Sequence, residues 1–325
     1  MMIPAPGHRR RSSLLNQWRR NMQTLAVLVI VLVAGALPAA AQTRVDKNVI
    51  YGTYSGLALL LDVHRPARPN GYGLVLVPGS GWQTGQGYGD RLVKDGDPAS
   101  FVSIPPLLHT GYTLFVVSHR SAPRFRYPAA IEDVQRAVRF VRSRASEYGI
   151  RAASLGAVGY SSGAHLATMM GLLDGAGDIA DPDPVNRLSA RVQCVVASAT
   201  PTDLEQLTLA GGAATVSFIG MPPATARRAD PVAANLYRAA SPVTYVARSS
   251  APLLLIHGDA DIVVAIQQSE LLAAAMQRAG AEVKFIRLPG GSHVFAQELS
   301  RHTDWPDVLG ETVGWLDQHL KRLPE

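Results

Sequence analysis

A serine between two glycines is the first feature of this sequence whose residue types and spacing could carry chemistry. Ser161 lies at the centre of residues 159–163 (GYSSG), between an apolar run at 153–159 and a second apolar run at 164–170. This pattern predicts a strand, a tight turn and a helix, with Ser161 on the turn. The flanking glycines permit the bend without Cβ clashes, and the helix N-terminus supports negative charge beside the serine. We therefore predict that Ser161 is a nucleophile.

A serine hydroxyl needs a base to accept its proton, and the chain has nine histidines. His293 is the favoured base because it follows the last predicted strand in a glycine-containing loop, residues 288–293 (LPGGSH). Two carboxylates that could orient it, Asp259 and Asp261, follow the preceding predicted strand. We favour Asp261, which the turn places beyond the strand end, while Asp259 remains the alternative and would otherwise cap the turn. The chain order Ser161, Asp261, His293 is that of a hydrolase triad.

Acyl transfer also requires donors for a developing oxyanion. The segment 78–82 (PGSGW) follows a short apolar run, and we predict that the backbone N–H groups of Ser80 and Gly81, with that of Ser162, form this hole. Taken alone, the segment would be read as an ordinary glycine turn. Trp82 and Tyr160, next to these groups and to the nucleophile, are the predicted substrate contacts.

Short apolar runs alternate along the chain with amphipathic helices, which predicts a largely parallel sheet with helices on both faces. A helix is expected to start at Pro128 and to end at Tyr148-Gly149, with Arg136, Arg139, Arg142 and Arg144 on its solvated face. The strands are predicted at residues 48–54 and 57–63 as an antiparallel hairpin, then at 74–77, 113–117, 153–159, 192–198, 252–257 and 282–288. Residues 203–246 interrupt the alternation; we expect a small cap over the site, with a surface excursion as the alternative.

The first 41 residues carry five arginines, no acidic residue and an apolar run at 25–37 that ends near residues 38–42 (PAAAQ). This predicts a cleaved secretory signal peptide at 1–41 and a catalytic domain at 42–325, an uncleaved anchor being the alternative.

Without the leader, the chain has 26 basic and 25 acidic residues, and this near-neutral balance gives no reason to expect a nucleic-acid partner. Cys194 has no partner for a disulfide within the chain and is expected to be a buried apolar residue.

Several of these segments together resemble the bacterial esterase and lipase branch of the α/β-hydrolases, which includes hormone-sensitive-lipase-like enzymes and acetyl or feruloyl esterases. The resemblance implies the α/β-hydrolase fold with an eight-stranded sheet, an ester substrate, and no cofactor or metal. One departure is that Pro78 and Ser80 replace the His and the middle Gly of the usual His-Gly-Gly-Gly-Trp loop. The segments are 78–82 (PGSGW), 127–133 (YPAAIED), 159–167 (GYSSGAHLA), 240–245 (ASPVTY), 257–264 (HGDADIVV) and 289–293 (PGGSH).

The expected function is hydrolysis of a short or aromatic carboxylic ester through an acyl-enzyme, with acetyl or feruloyl groups on polysaccharide as candidates. Export motivates the polysaccharide substrate, because such polymers lie outside the cell. Two alternatives remain open at this point: a peptidase or amidase that uses the same triad, and an inactive hydrolase fold that serves as a binding module. The sequence does not indicate the oligomeric state.

Overall fold

One sheet organises the chain, and within the described residues it contains eight strands in the order β1-β2-β4-β3-β5-β6-β7-β8. β1 and β2 form an antiparallel pair, β2 is antiparallel to β4, and every other pairing is parallel. The predicted fold class is therefore confirmed. The strands are β1 (Arg44–Tyr54), β2 (Leu57–Arg65), β3 (Gly73–Val77), β4 (Thr113–Val117), β5 (Leu155–Tyr160), β6 (Cys194–Ser198), β7 (Leu253–Gly258) and β8 (Val283–Leu288).

This computed structural model describes residues 1–2, 42–83, 92–95, 103–207, 211–223 and 230–321. The predicted signal peptide, apart from its first two residues, lies outside the described residues. Among the helices that are described, none is both long and apolar enough to cross a membrane.

Helices cover both faces of the sheet because the central strands are apolar on both sides. In β3, Val75 packs in a core with α2, α3 and α6, whereas Leu74 packs in a second core with α1 and α7. Every residue of β3, β4 and β5 is buried, which explains why these strands appear as continuous apolar runs in the sequence. The helices are α1 (Ile104–His109), α2 (Ala129–Ser143), α3 (Ser162–Leu172), α4 (Gly211–Ile219), α5 (Pro231–Ala240), α6 (Gln267–Ala279) and α7 (Val308–Leu320).

Helix α2 differs from the sequence prediction in its end and in the environment of its arginines. It ends at Ser143, before Tyr148-Gly149, and the chain continues as turns up to that glycine. Three of the four arginines expected on a solvated face bind backbone oxygens of other segments. The Nε–H groups of Arg136, Arg139 and Arg142 donate to the carbonyl oxygens of Tyr51, Leu188 and Ser189, at 3.0, 2.9 and 2.9 Å.

The segment predicted as a cap, residues 203–246, contains two helices that the sequence patterns did not predict. Asp230 caps α5 by accepting the N–H of Val232 at 2.9 Å, and Pro231 occupies its first turn. Helix α4 has no charged residue, and Phe218 near its end is fully buried. The buried side chains of α5 are Ala233, Tyr237 and Ala240, so both helices pack mainly by apolar contacts.

Candidate active site

Ser161 lies on a strained turn between β5 and α3. Its backbone has φ 53° and ψ −125°, a combination that residues with a Cβ rarely adopt. The turn needs a glycine two residues later, because a Cβ on Gly163 would lie 2.0 Å from the carbonyl oxygen of Val77. The Ser161 N–H donates to the carbonyl of Ser198 at 2.8 Å, which ties the turn to β6. The side chain is thereby held at the carboxyl ends of the parallel strands.

His293 reaches this serine from the loop after β8. The Ser161 hydroxyl donates to Nε2 of His293, with an O–N distance of 3.0 Å. The hydroxyl of Tyr160 donates to the backbone carbonyl of His293. The His293 loop is also joined to the loop after β7, because the Ala260 N–H donates to the carbonyl of Gly291 at 3.0 Å. The histidine position is therefore set by backbone contacts as well as by its side chain.

Asp261 accepts the Nδ1–H of His293 at 2.7 Å through its Oδ2 atom. Since Nδ1 donates, Nε2 is left as the proton acceptor that faces Ser161, which is the tautomer a general base needs. The backbone N–H groups of Val263 and Val264 donate to Oδ1 at 2.8 and 2.9 Å. Burial alone would raise the pKa of Asp261, but hydrogen bonds from His257 and His293 hold that pKa well below its ordinary value. The carboxylate is therefore ionised at neutral pH.

Asp259, the alternative acid, has a different position. Its side chain accepts the N–H of Gly290 at 2.7 Å, and its Oδ2 lies 3.8 Å from the guanidinium of Arg287. The structure brings Asp261, and not Asp259, to the imidazole of His293.

The predicted oxyanion loop lies beside Ser161, but one of its predicted donors already has a hydrogen-bond acceptor. The Ser80 N–H donates to the Oγ of Ser162 at 2.9 Å, so this amide serves to join the loop to α3. This contact corrects the prediction that all three amides face the substrate. Gly81 has φ 62°, which a glycine accommodates, and it lines the same cavity as Ser161 and Ser162.

The two predicted substrate contacts have their polar groups bound within the protein. Trp82 is 2% exposed, and its indole N–H donates to Nδ1 of His165 at 3.1 Å. Tyr160 is also buried, and its hydroxyl binds the His293 carbonyl as described above. Both residues line the cavity at Ser161. Because their polar groups are bound within the protein, these residues can contribute only apolar surface to a substrate. Their role is therefore smaller than the sequence predicted.

Trp82 is part of an aromatic cluster that joins the loop after β3, helix α3 and helix α4. Its ring stacks on Phe218 with centroids 4.8 Å apart, and the edge-on ring of His165 lies 5.2 Å away. The Nε2–H of His165 donates to the carbonyl of Ala240 at 2.7 Å, which fixes the neutral tautomer. Burial lowers the pKa of His165 to about 4, so this imidazole is uncharged at neutral pH.

The cavity at the serine has a volume of about 250 Å³. Its apolar wall includes Leu207, Ala214 and Val263, and its polar end holds Ser161 and His293. A larger, open groove of about 730 Å³ runs between β1 and α2, lined mainly by charged and polar side chains. That groove contains neither serine nor histidine, so the smaller cavity is the candidate active site.

His257 also belongs to this site, although from the sequence it was predicted only to end a strand. It is fully buried, and its Nε2 lies 3.2 Å from the same Asp261 oxygen that binds His293. The signal available in the sequence was its position at the end of the predicted strand, four residues before Asp261.

Comparison with protein families identifies this arrangement of elements. The BD-FAE family model matches residues 61–276, which is most of the sheet together with the segments that carry Ser161 and Asp261. The chain belongs to the BD-FAE family. The α/β-hydrolase fold, which the resemblance of the sequence motifs implied, is therefore confirmed. The matched residues end before the segment that carries His293.

Several relatives of this BD-FAE family member are esterases by name. Esterase LipQ of Mycobacterium tuberculosis is 30% identical over 79% of this chain and 58% of its own length. The chain spans about three fifths of the length of the curated relatives it matches. Among solved structures, a truncated carbohydrate esterase from gut microbiota is 26% identical, with a TM-score of 0.69 over 88% of this chain and 99% of that one. An acetyl ester-xyloside bifunctional hydrolase from Caldicellulosiruptor lactoaceticus is 22% identical, with a TM-score of 0.68 over 87% of this chain and 98% of that one.

Proposed function

We propose that the protein is a serine esterase that hydrolyses small carboxylic esters through an acyl-enzyme. The observation that carries the proposal is the continuous chain of hydrogen bonds from Ser161 to His293 at 3.0 Å and from His293 to Asp261 at 2.7 Å. These distances are those of a nucleophile, its base and the group that orients the base.

In the first half-reaction, the Ser161 oxygen attacks the ester carbonyl carbon while its proton passes to Nε2 of His293. The resulting imidazolium is stabilised by the ionised carboxylate of Asp261. The carbon–oxygen bond to the alcohol then breaks, and the alcohol leaves with the proton from Nε2. The acyl group remains on Ser161 as an ester.

In the second half-reaction, a water molecule takes the place of the alcohol. His293 accepts one of its protons, the hydroxyl oxygen attacks the acyl carbon, and the Ser161 oxygen leaves with that proton. The product is the free carboxylic acid. In both half-reactions the tetrahedral oxyanion needs N–H donors, and we assign the backbone amides of Gly81 and Ser162 to this role, because the Ser80 amide is bound to Ser162 Oγ.

A short acyl group such as acetyl is the proposed substrate. Pockets for drug-sized ligands are usually about 300–1,000 Å³. The cavity at Ser161 is about 250 Å³, and Ala214 and Val263 border it on the apolar side, which supports a small acyl group. The name of one similar solved structure, a carbohydrate esterase from gut microbiota, supports a sugar as the alcohol.

An exported enzyme would meet such substrates outside the cell, in keeping with the signal peptide proposed at residues 1–41. N-terminal sequencing of protein recovered from the periplasm or medium tests this point. A start at Gln42 supports cleavage after Ala41, whereas a chain that keeps its first residues and remains with the membrane fraction contradicts it.

The catalytic proposal is tested with purified protein that lacks the leader. The panel contains p-nitrophenyl acetate, butyrate and octanoate, methyl ferulate, acetylated xylo-oligosaccharide and alanine p-nitroanilide. We expect the acetyl esters to give the highest kcat/KM and the anilide to give no turnover. Ser161→Ala should abolish hydrolysis, while Ser249→Ala, which changes an exposed serine in a turn, should leave it unchanged. Preference for the anilide, or full activity in Ser161→Ala, would overturn the proposal.

A further inference from the structure

We propose that His257 is a positioning residue of the catalytic acid, which moderates the basicity of His293 by sharing the Asp261 oxygen that His293 binds. This inference rests on the proposed esterase function. His257 lies in β7, one residue before its end, with no exposed surface. Its Nε2 lies 3.2 Å from Asp261 Oδ2 and 2.9 Å from the carbonyl oxygen of Val264, and its Nδ1 lies 2.7 Å from Ser269 Oγ.

The partners of His257 fix its tautomer. The Val264 carbonyl can only accept a hydrogen bond, so Nε2 must carry a proton. The hydroxyl of Ser269 can then donate to Nδ1, and the proposal assigns His257 this tautomer, with the proton on Nε2. A single N–H is consequently shared between the Val264 carbonyl and the Asp261 carboxylate.

Asp261 Oδ2 therefore accepts from two imidazoles, His293 at 2.7 Å and His257 at 3.2 Å. Each hydrogen bond to a carboxylate stabilises its charged form and reduces the attraction left for a further donor. The N–H of His257 thus weakens the stabilisation that Asp261 gives to the imidazolium of His293. It also limits rotation of the carboxylate, whose Oδ1 is held by the amides of Val263 and Val264.

The other titratable groups near this cluster have contacts of their own. Glu298 accepts from the Ser292 hydroxyl, Asp259 from the Gly290 N–H, and Glu270 on α6 from Arg287. Tyr160 packs its ring against His293, with centroids 5.4 Å apart, and its hydroxyl binds the His293 carbonyl. Within the described residues, His257 and His293 are the titratable side chains that bind the Asp261 carboxylate directly.

The test is the pH dependence of kcat/KM for p-nitrophenyl acetate in His257→Leu and His257→Gln. Leucine removes the N–H, so Asp261 should attract the His293 proton more strongly and the acidic limb should move to higher pH, by about half a unit or more. The plateau should still fall, by about tenfold or more, because without that N–H the Asp261 carboxylate is free to rotate away from its position beside His293. Glutamine can place an amide N–H toward the same oxygen and should restore both the limb and most of the plateau.

Two further measurements keep the proposal testable if His257→Leu does not fold. Ser269→Ala removes only the hydroxyl that donates to Nδ1 and should move the limb in the same direction by a smaller amount. In the wild-type protein labelled with ¹⁵N-histidine, NMR should show a neutral histidine protonated on Nε2 whose signals disappear in His257→Gln. An acidic limb that stays at its wild-type position in folded His257→Leu or in Ser269→Ala, or a His257 protonated on Nδ1 alone, would overturn the proposal. Because the NMR result does not depend on turnover, it distinguishes this failure from a failure of the esterase assignment.

Discussion

Substitution of Gly163 by alanine tests the close packing that holds Ser161 in its turn. The new Cβ would lie 2.0 Å from the carbonyl oxygen of Val77 and 2.5 Å from that of Pro78, and both are backbone atoms that cannot rotate away. Overpacking of this kind costs about 1–3 kcal/mol, and a clash with backbone belongs at the upper end. The helical preference for alanine returns about 1 kcal/mol, so we expect Gly163→Ala to lower the free energy of unfolding by about 2 kcal/mol.

The effect on catalysis should be larger than the effect on stability. Relief of the clash requires the start of α3 to move by about 1 Å relative to β3, and Ser161 moves with it. A displacement of that size can reduce the rate by about 100-fold, because the 3.0 Å hydrogen bond to His293 is lost. The assays are thermal unfolding and hydrolysis of p-nitrophenyl acetate.

Gly314→Ala is the matched control. Gly314 lies in helix α7 and is exposed, and a Cβ there would meet no atom within 4 Å. The same substitution should therefore stabilise the protein by about 0.5–1 kcal/mol, a rise in Tm of roughly 2 °C, with unchanged activity. If Gly163→Ala unfolds at the temperature of Gly314→Ala and retains full activity, the reasoning about the turn is refuted.

Three further predictions concern the acid, the aromatic cluster and the acyl pocket. Asp261→Asn should lower kcat by about 10³–10⁴-fold through the wrong His293 tautomer, whereas Asp259→Asn should stay within about tenfold; equal losses would contradict the assignment. The pKa of His165 is about 4 in the folded protein and 6.5 ordinarily, so between these pH values the unfolded state binds a proton that the folded state does not. Urea unfolding should therefore show that His165 lowers the free energy of unfolding by about 2 kcal/mol at pH 5 relative to pH values above 6.5. In His165→Gln the decrease should be much smaller. Ala214→Leu should reduce hydrolysis of p-nitrophenyl butyrate more than that of the acetate, and an unchanged ratio would remove Ala214 from the acyl site.

The sheet could be predicted from the sequence because its central strands are short, continuous apolar runs. Residues 113–117 form β4 with the predicted bounds, and residues 74–77 form all but the first residue of β3. The end of α2 was predicted less well. The helix stops at Ser143, and the turns that follow place Gly149 at φ 64°, so the glycine marks the end of the turns rather than of the helix.

Contacts between distant segments could not be predicted. Arg139 and Arg142 follow a polar periodicity that is typical of a solvated helix face, but their partners are carbonyl groups nearly fifty positions away in the sequence. Trp82 was expected to touch substrate, yet its backbone φ of 58° and the acceptor on His165 direct the indole into the core. A single sequence contains no information about where these partners lie.

The candidate triad combines both situations. The strand ends that carry Ser161, Asp261 and His293 could be predicted from apolar periodicity, since parallel strands end at one edge of the sheet. The choice between Asp259 and Asp261 depends on the turn after β7, where Asp261 Oδ1 accepts two consecutive amides and Oδ2 is left to face the histidines. That geometry is visible only in three dimensions.

Covalent labelling tests the central claim most directly. The purified enzyme is treated with a fluorophosphonate at neutral pH, digested, and the modified residue is mapped by mass spectrometry in the wild type, Ser161→Ala and His293→Ala. If His293 accepts the proton of Ser161, one residue, Ser161, should be phosphonylated in the wild type. Ser161→Ala should not be labelled, and His293→Ala should be labelled at a much slower rate. Labelling at Ser162 or another serine, or an unchanged labelling rate without the imidazole, would contradict it.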